Sequence, residues 1–484
     1  MKDTFSNSRI SMNSTMMKPS SRRHFLQILG LASSAFALSP ASHARVTSTS
    51  SAPSVGPAST PRPNGSIYMG DFRAPRLDIV KIAFIGLSRG FTHLASSCAI
   101  EGTDIVAVCD LHQDLVDHAA NHVRQKTGKT PRQYAQGPEA YLNMMQECKP
   151  DAVVISTDWA SHVPIACNCM KRGAHTFVEV PFSPSVAELW QLIDTSEATQ
   201  KHCMMMENVN YGREELLFLN IVRQGLIGEL LHGEAAYIHN LRDQLLQTDR
   251  GEGSWRTAYM ELTNGNLYPT HGLGPVAQYM NLSRGEDTFS HLVSLSSPAR
   301  GRAEFARKKL PPDHKWNAGK FICGDMNSTI VQTGLGRTVL IQWDETTPRP
   351  YSRLNLIQGT AGTLAGFPTR VAGEKLGSGN YHEWIQGKDM DAIYEQYEHP
   401  LWKRVGDLAQ KMGGHGGMDF VMMFRIIECL RQGAPMDQNV YEGAFWSAVG
   451  PLSAQSVENG GMPVRFPDFT RNGWKTTKPL GIIS

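Results

Sequence analysis

Residues 79–110 read IVKIAFIGLSRGFTHLASSCAIEGTDIVAVCD, and this stretch decides the fold. IVKIAFI is a short apolar run rich in β-branched residues, the composition of a strand buried on both faces. Gly86 and Gly90 bracket a tight turn, and FTHLASSCAI then carries a helical pattern. A second apolar run, 105–109, ends on Asp110, which lies 24 residues past Gly86 (110 − 86). Strand, glycine turn, helix, strand and a terminal acid make a dinucleotide-binding unit. The free N–H groups at the helix start receive the pyrophosphate, and the acid receives the ribose 2′-hydroxyl. Ser88 and Phe91 stand where the usual motif has its second and third glycines, so context and Asp110 carry the reading. No arginine follows Asp110 directly, and a carboxylate there repels a 2′-phosphate, which favours NAD over NADP.

Downstream the βα alternation continues. The pattern predicts helices over 114–126 and 138–148 and a buried strand over 151–157, followed by Asp158-Trp159-Ala160-Ser161-His162. Loops at the carboxyl ends of parallel strands bind ligands, which places Trp159 on the nicotinamide side and His162 at the start of a helix. Strands over 175–180 and 202–207 follow, and near Asn208–Tyr211 the chain leaves the first domain. Beyond an amphipathic helix at 214–225, alternating strands at 233–239, 328–333, 338–343 and 354–358 predict a large, mostly antiparallel sheet. Late helices at 418–432 and 441–457 are expected to pack on it. The chain is thus α/β: a Rossmann domain over 78–208 and an α+β sheet domain over 209–484.

Upstream, Ser21-Arg22-Arg23-His24-Phe25-Leu26 is a twin-arginine signature before a weakly apolar run (28–38), with a small-residue cleavage site at Ala44. Residues 1–44 read as an export signal, too weakly apolar for stable membrane insertion, and place the mature protein in the periplasm. The export machinery is then a partner. Residues 45–77 are rich in Ser, Thr, Pro and Gly and read as a flexible linker whose end, from Met69, packs against the first domain. A net charge of +2 with 19% charged residues, and no basic stretch interleaved with aromatics, argues against nucleic acid. The eight cysteines lack metal-ligand spacing and read as buried thiols, with no metal expected.

Polar clusters mark the second half. Trp255-Arg256 precedes Tyr268-Pro-Thr-His271, which puts a phenol, a hydroxyl and an imidazole within one turn, a set suited to binding and deprotonating a polyhydroxy substrate. Arg349-Pro-Tyr351 and the glycine-flanked His415 are two further candidate loops.

The layout resembles the Gfo/Idh/MocA oxidoreductase superfamily, and more narrowly glycoside hydrolase family 109, the NAD-dependent α-N-acetylgalactosaminidases. The resemblance rests on MGDFRAPRL, GLSRG, WASH, EVP, ENVNYGR, WR, YPTHGLGP, RPYSR and GGHGGMD, in that order from Met69 to Asp419. It implies that Ser88, Arg89, Asp110, Trp159, His162, Glu179, Val180 and Asn208 line the NAD site. It also implies that Tyr237, Arg256, Tyr268, His271 and Tyr351 contact the sugar, with Tyr268 near NAD as well. Val180 stands where sugar dehydrogenases of the superfamily carry a lysine acid/base. The chemistry implied is oxidation at the sugar C3, elimination of the C1 substituent, addition of water and re-reduction, with NAD retained. Tyr211, His271 and Glu179 are the candidates for proton transfer, with the roles open among them. The alternative is a periplasmic NAD-dependent sugar oxidoreductase that exchanges hydride between sugars. Exposed sheets in such second domains often pair, which makes a homo-oligomer an expectation.

Overall fold

The computed structural model describes residues 60–377 and 382–481. The export signal and residues 45–59 of the linker lie outside the described residues. Six parallel strands form the first sheet: β1 (Val80–Ile85), β2 (Thr103–Cys109), β3 (Arg132–Tyr134), β4 (Ala152–Ile155), β5 (His175–Val178) and β6 (Cys203–Met205). Their order is β3-β2-β1-β4-β5-β6. The chain therefore reverses direction across the sheet between β1 and β4, and the carboxyl ends of those two strands open the crevice where such sheets bind ligands. β1 and β4 are almost wholly buried because helices cover both faces, which is why they read as unbroken apolar runs.

The second sheet has nine strands. They are β7 (Leu230–Ile238), β8 (Phe289–Ser296), β9 (Asn327–Thr333), β10 (Thr338–Asp344), β11 (Leu356–Gly359), β12 (Gly362–Ala365), β13 (Arg370–Gly373), β14 (Ile385–Gln386) and β15 (Val464–Arg465). The order is β14-β13-β12-β11-β7-β10-β9-β8-β15, and every pairing is antiparallel except β7 with β10. The sheet is thus mixed, its single parallel pair lying at its centre.

Two expectations are corrected. Helix Met418–Gln432 does not pack on the large sheet. It returns to the Rossmann half and lies against helix Gly90–Ser97, while helix Val440–Glu458 packs on both β8 and helix Val186–Thr199. The linker, too, is fixed from Thr60 onward. Arg62 pairs with the buried Glu197 (3.1 Å), and the Met69 N–H donates to the Tyr441 hydroxyl (3.0 Å), whose own O–H donates to Glu197 (2.5 Å). A low-complexity composition with few apolar groups is thus anchored by polar contacts to a buried charge. Among the described residues no helix is long and apolar enough to cross a membrane, and all eight cysteines are unpaired.

Candidate active site

A cavity of about 510 Å³ opens at the carboxyl ends of β1 and β4 and continues beneath β7. Its wall contains Ser88, Arg89, Asp110, Trp159, His162, Glu179 and Val180 from the Rossmann half, facing Tyr237, Arg256, Tyr268, His271 and His415. Its size suits a cofactor with a small substrate.

The dinucleotide end is built by Gly86, which has φ +84° and lies so close to β4 that a Cβ would collide with the Ser156 carbonyl. A Cβ on Gly90 would press on the Ser156 hydroxyl, which is buried and has no protein partner. Asp110 is fixed by the N–H groups of Leu87 (2.6 Å) and His112 (2.9 Å). A side-chain-free cradle, an orphaned hydroxyl and a fixed carboxylate fit a dinucleotide.

Behind Ser88 the Arg89 guanidinium meets Asp419 through two hydrogen bonds (2.8 and 3.1 Å) and Glu179 through Nε (3.2 Å). Asp419 is fully buried and also accepts from Asn208 Nδ2 (2.8 Å), with His415 Nδ1 at 2.9 Å. Burial opposes its ionisation, but His415, His93 and Arg89 hold it well below the usual carboxylate range. Glu179 sits against His93 Nε2 (2.6 Å), and Arg89 and His93 outweigh burial to bring its pKa down to about 2. Such a carboxylate is a poor base at neutral pH. Its pairing with Arg89 and His93 gives Glu179 a part in the charge balance of the cofactor wall. Asn208 is not on the wall; it stands one layer behind, holding Asp419.

Helix Trp159–Lys171 starts three residues earlier than His162, capped by Asp158, which accepts from the Ser161 N–H (3.2 Å) and hydroxyl (2.7 Å). His162 sets its ring nitrogens against the carbonyls of Pro181 (3.0 Å) and Thr157 (3.1 Å), bracing the loops at the strand ends, and burial lowers its pKa. Trp159 donates to the Val180 carbonyl (3.3 Å) and packs edge-on to Trp255, joining the two halves.

The sugar end hangs on helix Thr270–Tyr279. Gly272 lies against the Ala236 backbone of β7, where a Cβ would collide, and this close approach carries His271 up to Tyr237 (ring centroids 5.4 Å). His271 Nδ1 is 2.7 Å from Glu207 Oε1. Glu207 has no solvent exposure and its Oε2 has no protein partner, so the pair holds the Nδ1–H tautomer and leaves Nε2 as the acceptor. Tyr268, 5.0 Å from the His271 ring, is buried, and burial lifts its phenol well above the usual value, so it serves as an O–H donor. Arg256 stacks over the Tyr268 ring (4.9 Å) and pairs with Glu345 (3.5 Å) and Glu252 (3.2 Å).

Tyr211 is not at this site. It is buried and donates to Asp437 (3.3 Å), and burial reinforced by Asp437 raises its pKa far from what a base needs. Tyr351 stands at the rim, not on the wall, 6.3 Å from the Tyr237 ring and 5.0 Å from His239. Three residues absent from the sequence-based set matter here: Glu207, Asp419 and His239, whose Nδ1 lies 3.2 Å from the Tyr237 hydroxyl. Glu207 and Asp419 lie within stretches that carried the resemblance, but only the fold shows which side chains they touch.

A Rossmann domain and a mixed-sheet domain sharing one aromatic-lined cavity define an NAD-binding protein of the oxidoreductase type. Residues 80–207 match the oxidoreductase family with NAD-binding Rossmann fold, and residues 211–476 match the glycosyl hydrolase 109 C-terminal domain. The chain belongs to glycosyl hydrolase family 109. It is 62% identical to glycosyl hydrolase family 109 protein 1 of Akkermansia muciniphila, over 97% of this chain and 100% of that one. It is 50% identical to the α-N-acetylgalactosaminidase of Shewanella oneidensis, over 96% of this chain and 98% of that one. Levoglucosan dehydrogenase, solved with NADH and levoglucosan, shares the fold at 15% identity (TM-score 0.60, 80% of this chain and 99% of that one).

Proposed function

We propose that this protein hydrolyses α-N-acetylgalactosaminides with NAD held throughout the cycle. The observation that carries the reading is the His271–Glu207 pair, an imidazole with a free Nε2 in the same cavity as Asp110 and the glycine cradle. Gly86, Asp110, Ser88 and Val180 would hold the dinucleotide, which when bound supplies a hydride acceptor for the sugar C3 and returns the hydride at the end. A carbonyl at C3 acidifies the C2 proton. His271 Nε2 takes that proton while Glu207 stabilises the imidazolium. Tyr268 donates its O–H to the developing enolate oxygen, and Arg256 fixes the ring substituents. The C1 oxygen departs as an alcohol, taking a proton from solvent, and leaves an alkene across C1 and C2. Water then adds its oxygen to C1 and releases a proton that balances the one taken by the leaving group, and the imidazolium, its proton exchanged with solvent, protonates C2.

The twin-arginine sequence at 21–26 supports export of the folded, cofactor-loaded protein to the periplasm, where a redox-neutral cycle needs no external NAD. The test is proton NMR of the purified protein with a methyl α-N-acetylgalactosaminide in heavy water, without added NAD. Released sugar carrying deuterium at C2 is expected. Cleavage with no deuterium would overturn the elimination route. Oxidation of free sugar without cleavage would return the protein to the oxidoreductase alternative.

A further inference from the structure

An aromatic path leads out of the cavity. Tyr268 contacts Tyr237 (centroids 4.6 Å), Tyr237 contacts Tyr351 (6.3 Å), and Tyr351 contacts Phe367 (5.7 Å). Exposure rises along it, from 8% at Tyr237 to 40% at Tyr351 and 38% at Phe367. Two large aromatics half in water at a cavity mouth are the opposite of what burial favours, and the fold holds them there firmly. Arg353 lies beneath both, 4.9 Å from the Phe367 ring and 5.5 Å from the Tyr351 ring, and donates to the Tyr351 hydroxyl (2.9 Å). Its other arm donates to the buried Glu215 (2.7 Å), which also accepts from Asn355 Nδ2 (3.3 Å), and Asn355 in turn accepts from the Tyr279 hydroxyl (3.0 Å). A buried arginine–glutamate pair thus fixes the inner side of the aromatic pair and leaves the outer side to solvent.

We infer that Tyr351 and Phe367 form a subsite for a second sugar, the hexopyranose on the leaving-group side of the scissile bond. This rests on the glycosidase reading above. The chemistry fits: a pyranose presents an apolar C–H face to an aromatic ring, and a shelf fixed in advance loses little freedom when it binds. His239 stands between the cavity and the shelf, 5.0 Å from the Tyr351 ring. Only its Nδ1 has a protein partner among the described residues, so Nε2 is open to a sugar hydroxyl. A polar group between stacking rings is what a glycoside needs at the junction of two sugars. Tyr351 belongs to both subsites, while Phe367 belongs to the outer one alone.

The test compares kcat/KM for an α-N-acetylgalactosaminyl-(1→3)-galactoside with that for methyl α-N-acetylgalactosaminide and for the serine-linked sugar. Taking ratios cancels any loss of folded or NAD-loaded protein. Phe367→Ala is expected to lower the disaccharide-to-methyl ratio roughly 3- to 10-fold, and Phe367→Tyr to restore it. A ratio unchanged within twofold overturns the subsite, as does a selective loss on the serine-linked substrate, which would make the shelf a peptide site. Wild-type protein that cleaves none of the three would defeat the functional reading instead, so the two failures are distinguishable.

Discussion

Glu207→Gln isolates what the buried carboxylate does for His271. The replacement keeps the size of the side chain, removes its charge, and can turn either an oxygen or an NH2 toward Nδ1. With the NH2 turned inward, Nδ1 becomes the acceptor and Nε2 carries the proton, which is the wrong tautomer for a base facing the cavity. The wild-type contact is 2.7 Å to a carboxylate without solvent exposure. A hydrogen bond to a charged group contributes about 1.5–3 kcal/mol, so its loss in the transition state lowers kcat roughly 10- to 150-fold. Glu207 is not on the cavity wall, so KM should change little. The assay is kcat and KM on the methyl glycoside, with bound NAD quantified by absorbance, and C2 deuterium incorporation should slow in parallel. A kcat within twofold of wild type, with full NAD content, would refute the assignment of His271 as the C2 base.

Two further predictions address the scaffold. Burial brings the pKa of His175 down to about 2 and of His202 and His399 to about 4, each from 6.5, so the folded chain refuses protons that the unfolded chain binds. Stability is then complete above pH 6.5 and falls as the pH drops toward 4, by up to about 1.4 kcal/mol per pH unit for each histidine. A melting temperature that stays flat from pH 7 to pH 5 would contradict this. Tyr211→Phe loses a hydrogen bond to Asp437 but no group of the cavity. It should lower stability by about 1 kcal/mol in urea titration and leave kcat within about threefold, whereas a hundredfold drop would restore Tyr211 to the chemistry.

The Rossmann half was legible because its determinants are local. Apolar runs, a glycine turn and an acid at the right spacing all fall within 32 residues (79–110), and the structure reproduces each element to within a few positions. β3, β8 and the short strands β12 to β15 escaped, since RQY is too short and FSHLVSLS too polar to announce a strand. The proton-transfer set was harder to read for a different reason. Tyr211 and Glu179 are chemically plausible bases by residue type, and only the fold shows that one is buried beside Asp437 away from the cavity and that the other is paired with Arg89 and His93. Glu207 and His271 lie 64 positions apart, and nothing in spacing pairs them until β6 and helix Thr270–Tyr279 are brought together.

The pairing of Arg89 with Asp419 has a consequence for how the protein is made. The two lie 330 positions apart, yet Asp419 neutralises a cation in the wall of the cofactor cleft. A ribosome releases the entire parallel sheet long before it reaches that aspartate. During most of synthesis the nascent Rossmann half therefore carries Arg89 paired with Glu179 alone and helix Gly90–Ser97 without the helix that covers it. The cleft reaches its final form only when the last quarter of the chain folds back. A chain cut short before Asp419 would possess the whole nucleotide fold and still lack the charge balance that completes it.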